Sequence, residues 1–456
     1  MINCFIPFLS LPQARQTVRA LGLCDRIKNI YLLATEKIPD EVEGCEMLMI
    51  DSPASTATFR TIALHADTAY TLLYTKYTAF EPGQFAFERL LAIAGDTNAG
   101  MLYADRYLLK NGNSQQAPVI DYQKGSLRDD FDFGSLLFFR SSVLKQAVRA
   151  MDADYRFAGL YDLRLRVSEL AELVHVNEYL YSEVETDIRK SGEKLFDYVD
   201  PKNRAVQIEM EAVCTAYLKR VGGYLAPDFE PVTFDAGGFE QEASVIIPVR
   251  NRIRTIEDAI RSVLAQKTTF RFNLIIVDNH STDGTSEAIG KYTADGRVVH
   301  LVPERSDLGI GGCWNVGVHH PACGKFAVQL DSDDVYSGPD TLQKIVDAFY
   351  EQNCAMVVGT YRMTDFKMNE IPPGIIDHRE WTLENGRNNA LRITGLGAPR
   401  AFYTPVLRRI NLPNTSYGED YALGLRISRT WRIGRIYDVL YLCRRWEDNS
   451  DAALDV

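Results

Sequence analysis

Three carboxylates follow directly after an apolar run in the second half of the chain. Residues 326–330 predict a buried strand, and Asp331, Asp333 and Asp334 come immediately after it. Carboxylate oxygens are the ligands that Mg²⁺ and Mn²⁺ prefer, and a cation held here could bridge the diphosphate of a nucleotide. On an extended segment Asp331 and Asp333 project to the same side. An acidic turn that caps the next helix is the alternative explanation of this motif taken alone.

A second apolar run, residues 274–277, also ends in an aspartate, Asp278. Its carboxylate could accept a hydrogen bond from an imide N–H such as that of uracil. The residues that follow, 281–285, are typical of a turn that starts a helix, with Thr282 or Asp283 as the cap. We therefore expect Asp278 to be the functional residue of this motif and its neighbours to be structural.

Further charged residues lie towards the end of the chain. Glu419 and Asp420 precede a helix predicted over 421–428, where the helix dipole by itself would stabilise acidic side chains. The functional alternative is a general base, because a hydroxyl that attacks a sugar must lose its proton. Arg444 and Arg445 could clamp phosphates, or they could belong to a solvated charged loop.

The elements that must position these residues alternate between strands and helices. Apolar runs at 245–248 and 274–277 flank a helix-like stretch at 256–265, and runs at 4–7 and 30–33 flank another. This alternation predicts an α/β fold with mostly parallel, Rossmann-like sheets. Because ligands of such sheets bind beyond the carboxyl ends of the strands, we expect the acidic motifs to meet there.

Similar motifs occur in the same order in both halves of the chain, which predicts a tandem duplication of one α/β domain. Two unrelated α/β domains that share generic patterning are the alternative. The matched pairs are 70–74 with 326–330, 133–140 with 395–402, and 165–168 with 425–428.

A connector separates the two predicted domains. Asp200-Pro201 is typical of a helix start, the helix would run to about Arg220, and residues 225–242 have the composition of a linker. We therefore predict domains at 1–185 and 243–456, joined by a helical connector and linker over 186–242.

Composition excludes several classes of protein. The formal net charge is −11 and no Lys/Arg run stands out, which argues against nucleic acid as a partner. The eight cysteines form no CxxC pair, so neither a zinc site nor a redox motif is indicated. The start of the chain lacks the features of a signal peptide, and no run is long and apolar enough for a membrane span. These features predict a cytoplasmic protein, with peripheral contact at the inner face of the membrane left open. The chain ends at Val456 without a terminal signature, which is compatible with a sequence that is part of a longer protein.

Taken together, the motifs from about Val245 to Ser450 resemble those of the inverting GT-A glycosyltransferases of family 2. The resemblance rests on several ordered segments rather than on one motif. These segments are 245–251 (VIIPVRN), 262–266 (SVLAQ), 277–285 (VDNHSTDGT), 308–317 (LGIGGCWNVG), 331–333 (DSD) and 418–420 (GED).

The resemblance implies a role for each candidate residue. Pro248 and Asp278 would line the nucleobase pocket, with Asn251 and Arg445 as further donor-binding residues. Asp331 would hold the ribose or the metal and Asp333 the metal, a divalent Mn²⁺ or Mg²⁺. Asp420 would be the general base, with Glu419 beside it binding the acceptor. The partners implied are a nucleotide-diphosphate sugar and a glycan or glycolipid acceptor, commonly in bacterial surface polysaccharide synthesis.

Three positions depart from the family pattern. Arg250 stands where an aromatic residue often faces the base, and Trp314 stands where a basic residue is common. Trp446 lies near the position where many relatives have a metal-ligating histidine. The last departure predicts weak metal binding in the absence of the donor.

The first domain is predicted to be a degenerate copy without transferase activity. With Pro82 laid over Pro339, residues 74–77 fall on 331–334, so that the metal carboxylates are missing and Lys76 replaces one of them. Near the position of the general base, only residues 159–162 of the first domain resemble the second domain. A gap in the alignment leaves the counterpart of Asp162 open. Such a domain could bind acceptor glycan or a partner, or serve as a scaffold. An ammonium group that stands in for the metal is the bolder alternative, and an exposed loop lysine is the simpler one.

Two other functions compete with glycosyl transfer. A sugar nucleotidyltransferase would need a glycine-rich loop directly after the first strand, and the loop at 248–252 has no glycine. A catalytically dead glycan-binding protein is the other alternative, against which the intact Asp331, Asp333 and Asp420 argue.

Overall fold

The computed structural model describes residues 1–37, 41–110, 112–184, 203–235 and 237–446. They fall into two units, with the boundary between Tyr224 and Leu225. Each unit is built around one mixed β-sheet with helices packed on it.

The first unit contains nine strands and six helices within its described residues. They are β1 (Ile2–Pro7), α1 (Leu11–Gly22), β2 (Ile27–Ala34), β3 (Glu46–Met49), α2 (Thr56–His65), β4 (Tyr70–Tyr74), β5 (Phe80–Pro82), α3 (Ala86–Thr97), β6 (Met101–Lys110), β7 (Asn113–Ala117), β8 (Leu136–Arg140), α4 (Ser141–Arg149), α5 (Gly159–Leu170), β9 (Leu173–Val184) and α6 (Arg204–Arg220).

The second unit contains nine strands and seven helices within the part that is described. They are β10 (Ala243–Val249), α7 (Ile256–Leu264), β11 (Phe272–Asp278), α8 (Thr285–Gly290), β12 (Val298–Leu301), α9 (Ile310–His319), β13 (Phe326–Gln329), β14 (Val335–Tyr336), α10 (Thr341–Gln352), β15 (Met356–Thr364), β16 (Glu370–Ile376), α11 (Gly386–Asn389), β17 (Arg400–Tyr403), α12 (Thr404–Ile410), α13 (Glu419–Ser428) and β18 (Ile433–Arg444).

The two sheets have the same topology. The first has the order β3-β2-β1-β4-β8-β6-β9-β5, with β7 paired to β6, and the second has β12-β11-β10-β13-β17-β15-β18-β14, with β16 paired to β15. Each strand of the second sheet has a number nine higher than its counterpart in the first sheet. Matched pairs of strands also agree in being parallel or antiparallel. The predicted α/β class and the tandem arrangement are confirmed. Pairing is parallel from β3 to β4 and from β12 to β13, whereas β8 and β17 run antiparallel to their neighbours.

The buried strands explain why this sequence forms such sheets. Val245, Ile246 and Ile247 are fully buried, as expected of a parallel strand that is covered on both faces. In α7, inward side chains recur at Ile256, Ala259, Ile260 and Val263, the spacing of an amphipathic helix. The alternation seen in the sequence is therefore the alternation of sheet and covering helix.

Strand register agrees with the match of 70–74 to 326–330 and corrects the alignment on Pro82 and Pro339 by one residue. Asn3 of β1 pairs with Thr71 of β4, and its counterpart Ser244 of β10 pairs with Ala327 of β13. Thr71 therefore corresponds to Ala327. Counting onwards, Thr75 corresponds to Asp331.

The same count places Lys76 at Ser332 and Tyr77 at Asp333. The sequence alignment, which put Lys76 on the metal-binding aspartate, is wrong by one residue because it was fixed on prolines in a loop of different length. The first unit still has no carboxylate at either metal position.

Helix α6 packs on the first unit rather than standing apart as a connector. Val213, Cys214 and Tyr217 share a buried cluster with Tyr161 and Leu165 of α5. The predicted helix start at 200–201, like residues 186–202 in general, lies outside the described residues.

The chain joins the second unit from Leu225 onwards. The Asn388 side chain bonds both the backbone N–H and the C=O of Leu225, each at 2.9 Å. The segment predicted as a linker over 225–242 is thus attached to the second unit where it is described.

None of the helices within the described ranges is both long and apolar enough to cross a membrane.

Candidate active site

Three adjacent parallel strands, β10, β11 and β13, end at one edge of the second sheet, and a cleft lies there. One cavity of about 310 Å³ and an adjoining one of about 320 Å³ share Pro248, Arg252, Ile310, Ser332, Ser416 and Tyr417 in their walls. The charged residues that line the first cavity are Arg252, Asp331, Asp333, Asp334, Arg400, Glu419, Asp420 and Arg445.

Asp331 is held in place by two neighbours from the sheet. The Gln329 amide donates to its two carboxylate oxygens at 3.0 and 3.1 Å, and the Tyr441 hydroxyl donates to Oδ2 at 3.0 Å. Burial raises the pKa of Asp331, the Arg400 cation opposes this rise, and the nearby Asp333 carboxylate adds to it. The pair of acids is thus a site of concentrated negative charge.

Asp333 is the more open of the two acids towards the cleft. The Trp446 indole N–H lies 3.3 Å from Asp333 Oδ2, and Arg252 Nε lies 3.9 Å from the same oxygen. The guanidinium groups of Arg252 and Arg254 lie over the Trp446 ring, at 5.8 and 4.8 Å from its centre. An indole N–H can donate to a carboxylate but cannot ligate a metal. Trp446 therefore cannot supply the metal ligand that a histidine at this position would supply.

The neighbouring Asp334 has a structural role. It is buried, and it accepts a hydrogen bond of 2.7 Å from the Arg444 backbone N–H. Burial, with Asp333 and Asp331 nearby, raises the pKa of Asp334 well above its ordinary value. Of the three acids predicted to follow this strand, Asp331 and Asp333 remain as candidates for a cation.

These residues fit a divalent metal. Asp331 and Asp333 offer hard oxygen donors in one cavity. Burial first, and the Asp333 carboxylate in smaller part, raise the pKa of Asp331, and a cation there would stabilise its charged form.

Asp420 forms an ion pair with Arg400 across the same cavity. Gly418, with a φ of 75°, makes the turn before α13, and Asp420 is the second residue of that helix. Its carboxylate pairs with Arg400 Nη1, and its side chain is 31% exposed. Burial acts to lower the pKa of Arg400, but the Asp420 and Asp331 carboxylates outweigh this effect and the pKa is raised.

Glu419 lies deeper than Asp420. It is buried, and within the described part of the chain its Oε2 has no hydrogen-bond partner. Burial raises the pKa of Glu419, the neighbouring Asp420 adds to the rise, and Arg400 opposes it. Glu419 contributes to the cavity wall.

Asp278 does not face the cleft. It is fully buried, one oxygen accepts from the Ser281 backbone N–H at 3.0 Å, the other accepts from the Ser286 hydroxyl, and His300 Nε2 lies 3.4 Å away. Burial acts to raise the pKa of Asp278, but these hydrogen bonds outweigh it and the pKa is lowered. This arrangement does not support the expected direct contact between Asp278 and a nucleobase, because both carboxylate oxygens accept hydrogen bonds from the protein itself.

Asn251 likewise joins two loops. Its side-chain oxygen accepts from the Thr282 backbone N–H at 2.8 Å, and its own N–H donates to Ser281 Oγ at 2.9 Å. It is absent from the described walls of the two cavities, whereas Asn279 lines the second. Pro248 and Arg445, by contrast, line the cleft.

Two cleft residues were missed by the sequence reasoning, Arg400 and Arg252. Arg400 stands 20 positions before Asp420 on a different element, and no local pattern marks it. Arg252 does have a sequence signal, because it lies in the loop directly after β10, where a cation could contact a diphosphate.

In the first unit, Lys76 is satisfied by the protein itself. Its ammonium nitrogen lies 2.5 Å from Oε1 of Glu183, a fully buried carboxylate that also accepts from Arg106 Nε at 3.0 Å. This pairing accounts for the lysine without any donor substrate.

Part of the second unit is similar in sequence to known glycosyltransferases. Residues 244–409 match the family model described as "Glycosyl transferase family 2". An uncharacterized glycosyltransferase of Rickettsia conorii is 38% identical over 200 residues, which cover 43% of this chain and 32% of that protein. A Bacillus subtilis protein described as "Putative teichuronic acid biosynthesis glycosyltransferase TuaG" is 33% identical over 120 residues, 26% of this chain and 46% of that protein. The chain thus spans less than half the length of these relatives.

Among solved structures, S. aureus TarS 1-349 in complex with UDP-GlcNAc aligns with 47% of this chain and 62% of its own length. The sequence identity is 22% and the TM-score is 0.40.

Proposed function

We propose, from the premise that residues 244–409 belong to glycosyl transferase family 2, that the second unit transfers a sugar from a nucleotide-diphosphate donor to a hydroxyl group. The transfer would proceed with inversion at the anomeric carbon and depend on a divalent metal, Mn²⁺ or Mg²⁺. The observation that carries this proposal is that Asp420 lies in the wall of the same cavity as Asp331 and Asp333.

Asp420 is suited to be the general base. Its carboxylate is partly exposed and lines the cavity, so an acceptor hydroxyl can reach it. As the acceptor oxygen bonds to the anomeric carbon, the bond from that carbon to the diphosphate breaks, Asp420 takes the hydroxyl proton, and the nucleoside diphosphate leaves. Proton removal by one general base suits a single displacement with inversion.

The basic residues of the cleft are suited to the leaving group. Arg252 and Arg445 line the cavity beside Asp333, where a diphosphate would lie. Asp333, with Asp331 beside it, would hold the divalent cation, which when bound would neutralise charge that develops on the diphosphate. Guanidinium groups add charge-assisted hydrogen bonds to phosphate oxygens.

The second cavity is suited to the nucleoside. Pro248 and Asn279 line it, and the Asn279 amide donates to the Leu308 carbonyl at 2.8 Å. We assign the base to this cavity, with Asp278 acting through the turn that it stabilises.

The acceptor is proposed to be a cell-surface polysaccharide or glycolipid, and the donated sugar a hexose. The Bacillus subtilis relative is described by a role in teichuronic acid biosynthesis, which supports a surface polymer. We place the reaction in the cytoplasm, at the inner face of the membrane.

Incubation with a panel of UDP- and GDP-sugars, with and without Mn²⁺, tests the proposal. Release of a nucleoside diphosphate together with a glycosylated acceptor is expected, and it should be lost in Asp333→Asn and retained in Asp438→Asn, an exposed carboxylate away from the cleft. Release of pyrophosphate would instead identify a nucleotidyltransferase. Sugar binding without turnover would identify a binding protein.

A further inference from the structure

The first unit keeps a cavity at the place that the candidate active site occupies in the second. It has a volume of about 280 Å³, and Thr75, Leu137 and Leu160 contribute to its wall. Thr75 corresponds to Asp331 by strand register. The cavity is therefore the counterpart of the cleft with its acid replaced.

The other two correspondences lead to the same conclusion. In the pairing of β4 with β8 and of β13 with β17, Leu137 falls at Arg400, which corrects the sequence match of 133–140 with 395–402 by one residue. Because α5 starts at Gly159 and α13 at Glu419, Leu160 falls at Asp420. Asp331, Arg400 and Asp420 are each matched by an uncharged residue in the first unit, yet a cavity is still present there.

Much of the wall of the cavity in the first unit consists of aromatic side chains. Phe131, Phe133, Phe139, Phe157 and Tyr161 line the cavity. Their faces suit the C–H surface of a saccharide ring, and a cavity of this size accommodates one such ring.

Three charged residues line this cavity, Asp129, Asp132 and Arg164, and Arg164 is the cation among them. It is buried, and its guanidinium carbon lies 4.9 Å from the centre of the Tyr161 ring and 5.3 Å from that of Phe133. Its Nη2 donates to the Arg128 carbonyl at 3.1 Å. Its Nη1 is buried and, among the described residues, has no hydrogen-bond partner.

The arginine is particular to the first unit. Its counterpart in α13, counted from the helix starts, is Gly424. A buried N–H of a cation without an acceptor is costly, so such a group in a cavity wall points to an acceptor that a ligand supplies. Two carboxylates, Asp129 and Asp132, also line the cavity and can accept from sugar hydroxyls.

We propose that this cavity binds a saccharide ring that carries an anionic oxygen group, a carboxylate or a phosphate ester. The ring packs on the aromatic wall, and the anionic group accepts from Arg164 Nη1. This site is independent of the proposed transfer reaction, since it lies within the first unit and is detected by binding alone.

Calorimetric titration of the full chain with methyl β-D-glucuronide, glucose 6-phosphate and neutral methyl β-D-glucoside tests the site. At least one anionic sugar should bind at least tenfold more tightly than the glucoside, and the better of the two identifies the anionic group. Arg164→Gln should weaken that binding at least tenfold, whereas Arg149→Gln, an exposed arginine on α4, should not. Donor turnover by the second unit should be unchanged in both variants.

A second variant covers the case in which Arg164→Gln fails to fold, as judged by thermal melting. Leu160→Trp at the partly exposed rim fills the cavity and should abolish binding with Arg164 intact. The proposal is overturned if neither anionic sugar binds, if the neutral glucoside binds equally well, or if binding persists in the folded variants.

Discussion

Arg400 of β17 forms an ion pair with Asp420, the carboxylate in the first turn of α13 that we propose as the general base. The same guanidinium also acts on Asp331, on the metal side of the cavity. Arg400 therefore couples the two ends of the site electrostatically, and it sets the charge that the acids carry before substrate binds. This relationship leads to the first prediction.

Replacing Arg400 by Gln should move the acidic limb of the pH profile of kcat/KM to higher pH. Glu419, the residue assigned to the acceptor, must be ionised to accept a hydrogen bond from an acceptor hydroxyl through either oxygen. Burial raises the pKa of Glu419 and Arg400 opposes this rise, so removing Arg400 raises that pKa further and moves the ionisation to higher pH. Arg400→Lys keeps the charge and should show a smaller displacement. An acidic limb that is the same in wild type and Arg400→Gln would contradict this view of the cavity.

Asp420→Asn should lower kcat by about 10²–10⁴-fold, the usual contribution of a general base. Steady-state transfer assays measure this, with Asp438→Asn as the control. Because the amide keeps the shape of the side chain, the Tm should change little. Activity close to that of the wild type would remove Asp420 from the proposed chemistry.

Glu419→Gln should raise the Tm, and more at pH 7.5 than at pH 4. Burial raises the pKa of Glu419 in the folded protein, so folding favours its protonated form. The cost of the charged form therefore appears as the pH rises above the ordinary pKa of a glutamate and is complete above the raised one. Thermal melts at both pH values, with exposed Glu384→Gln for comparison, measure the difference. An equal rise in Tm at the two pH values would show that the rise does not come from the ionisation of Glu419.

Trp446→His should raise the affinity for Mn²⁺ in the absence of nucleotide by about tenfold, the order of effect seen for changes around a metal site. The indole N–H lies 3.3 Å from Asp333 Oδ2, so an imidazole nitrogen placed there would be close to any cation that Asp333 holds. Calorimetry with Mn²⁺ measures the affinity. Trp446→Phe, which removes the N–H and adds no ligand, should show no gain, and an equal gain in both variants would count against a cation at Asp333.

Asp278→Asn should destabilise the protein by about 1–3 kcal/mol, the cost of unmaking buried hydrogen bonds, and leave the ratio of KM values for UDP- and GDP-sugars unchanged. Its two oxygens serve Ser281 and Ser286 within the protein. Urea unfolding and donor kinetics separate the two effects. A changed base preference at full stability would restore Asp278 as a base contact.

The sequence by itself determined the α/β class, the tandem order of the two units and the positions of the acids that follow buried strands. These features are local: β-branched runs such as 245–247 form buried strands, inward residues of α7 recur at helical spacing, and an acid after a strand lies at the sheet edge wherever the strand pairs.

The tertiary structure decided the rest. The sequence offered two registers, one from the match of 70–74 with 326–330 and one from the prolines, and strand pairing decided for the first, which places Thr75 rather than Tyr74 at Asp331. Packing alone brings Arg400 to Asp420 and turns Asp278 inward, since a side chain's partners are chosen by the fold around it. For the same reason α6, which the sequence set apart as a connector, lies on the first unit, where its apolar face finds α5.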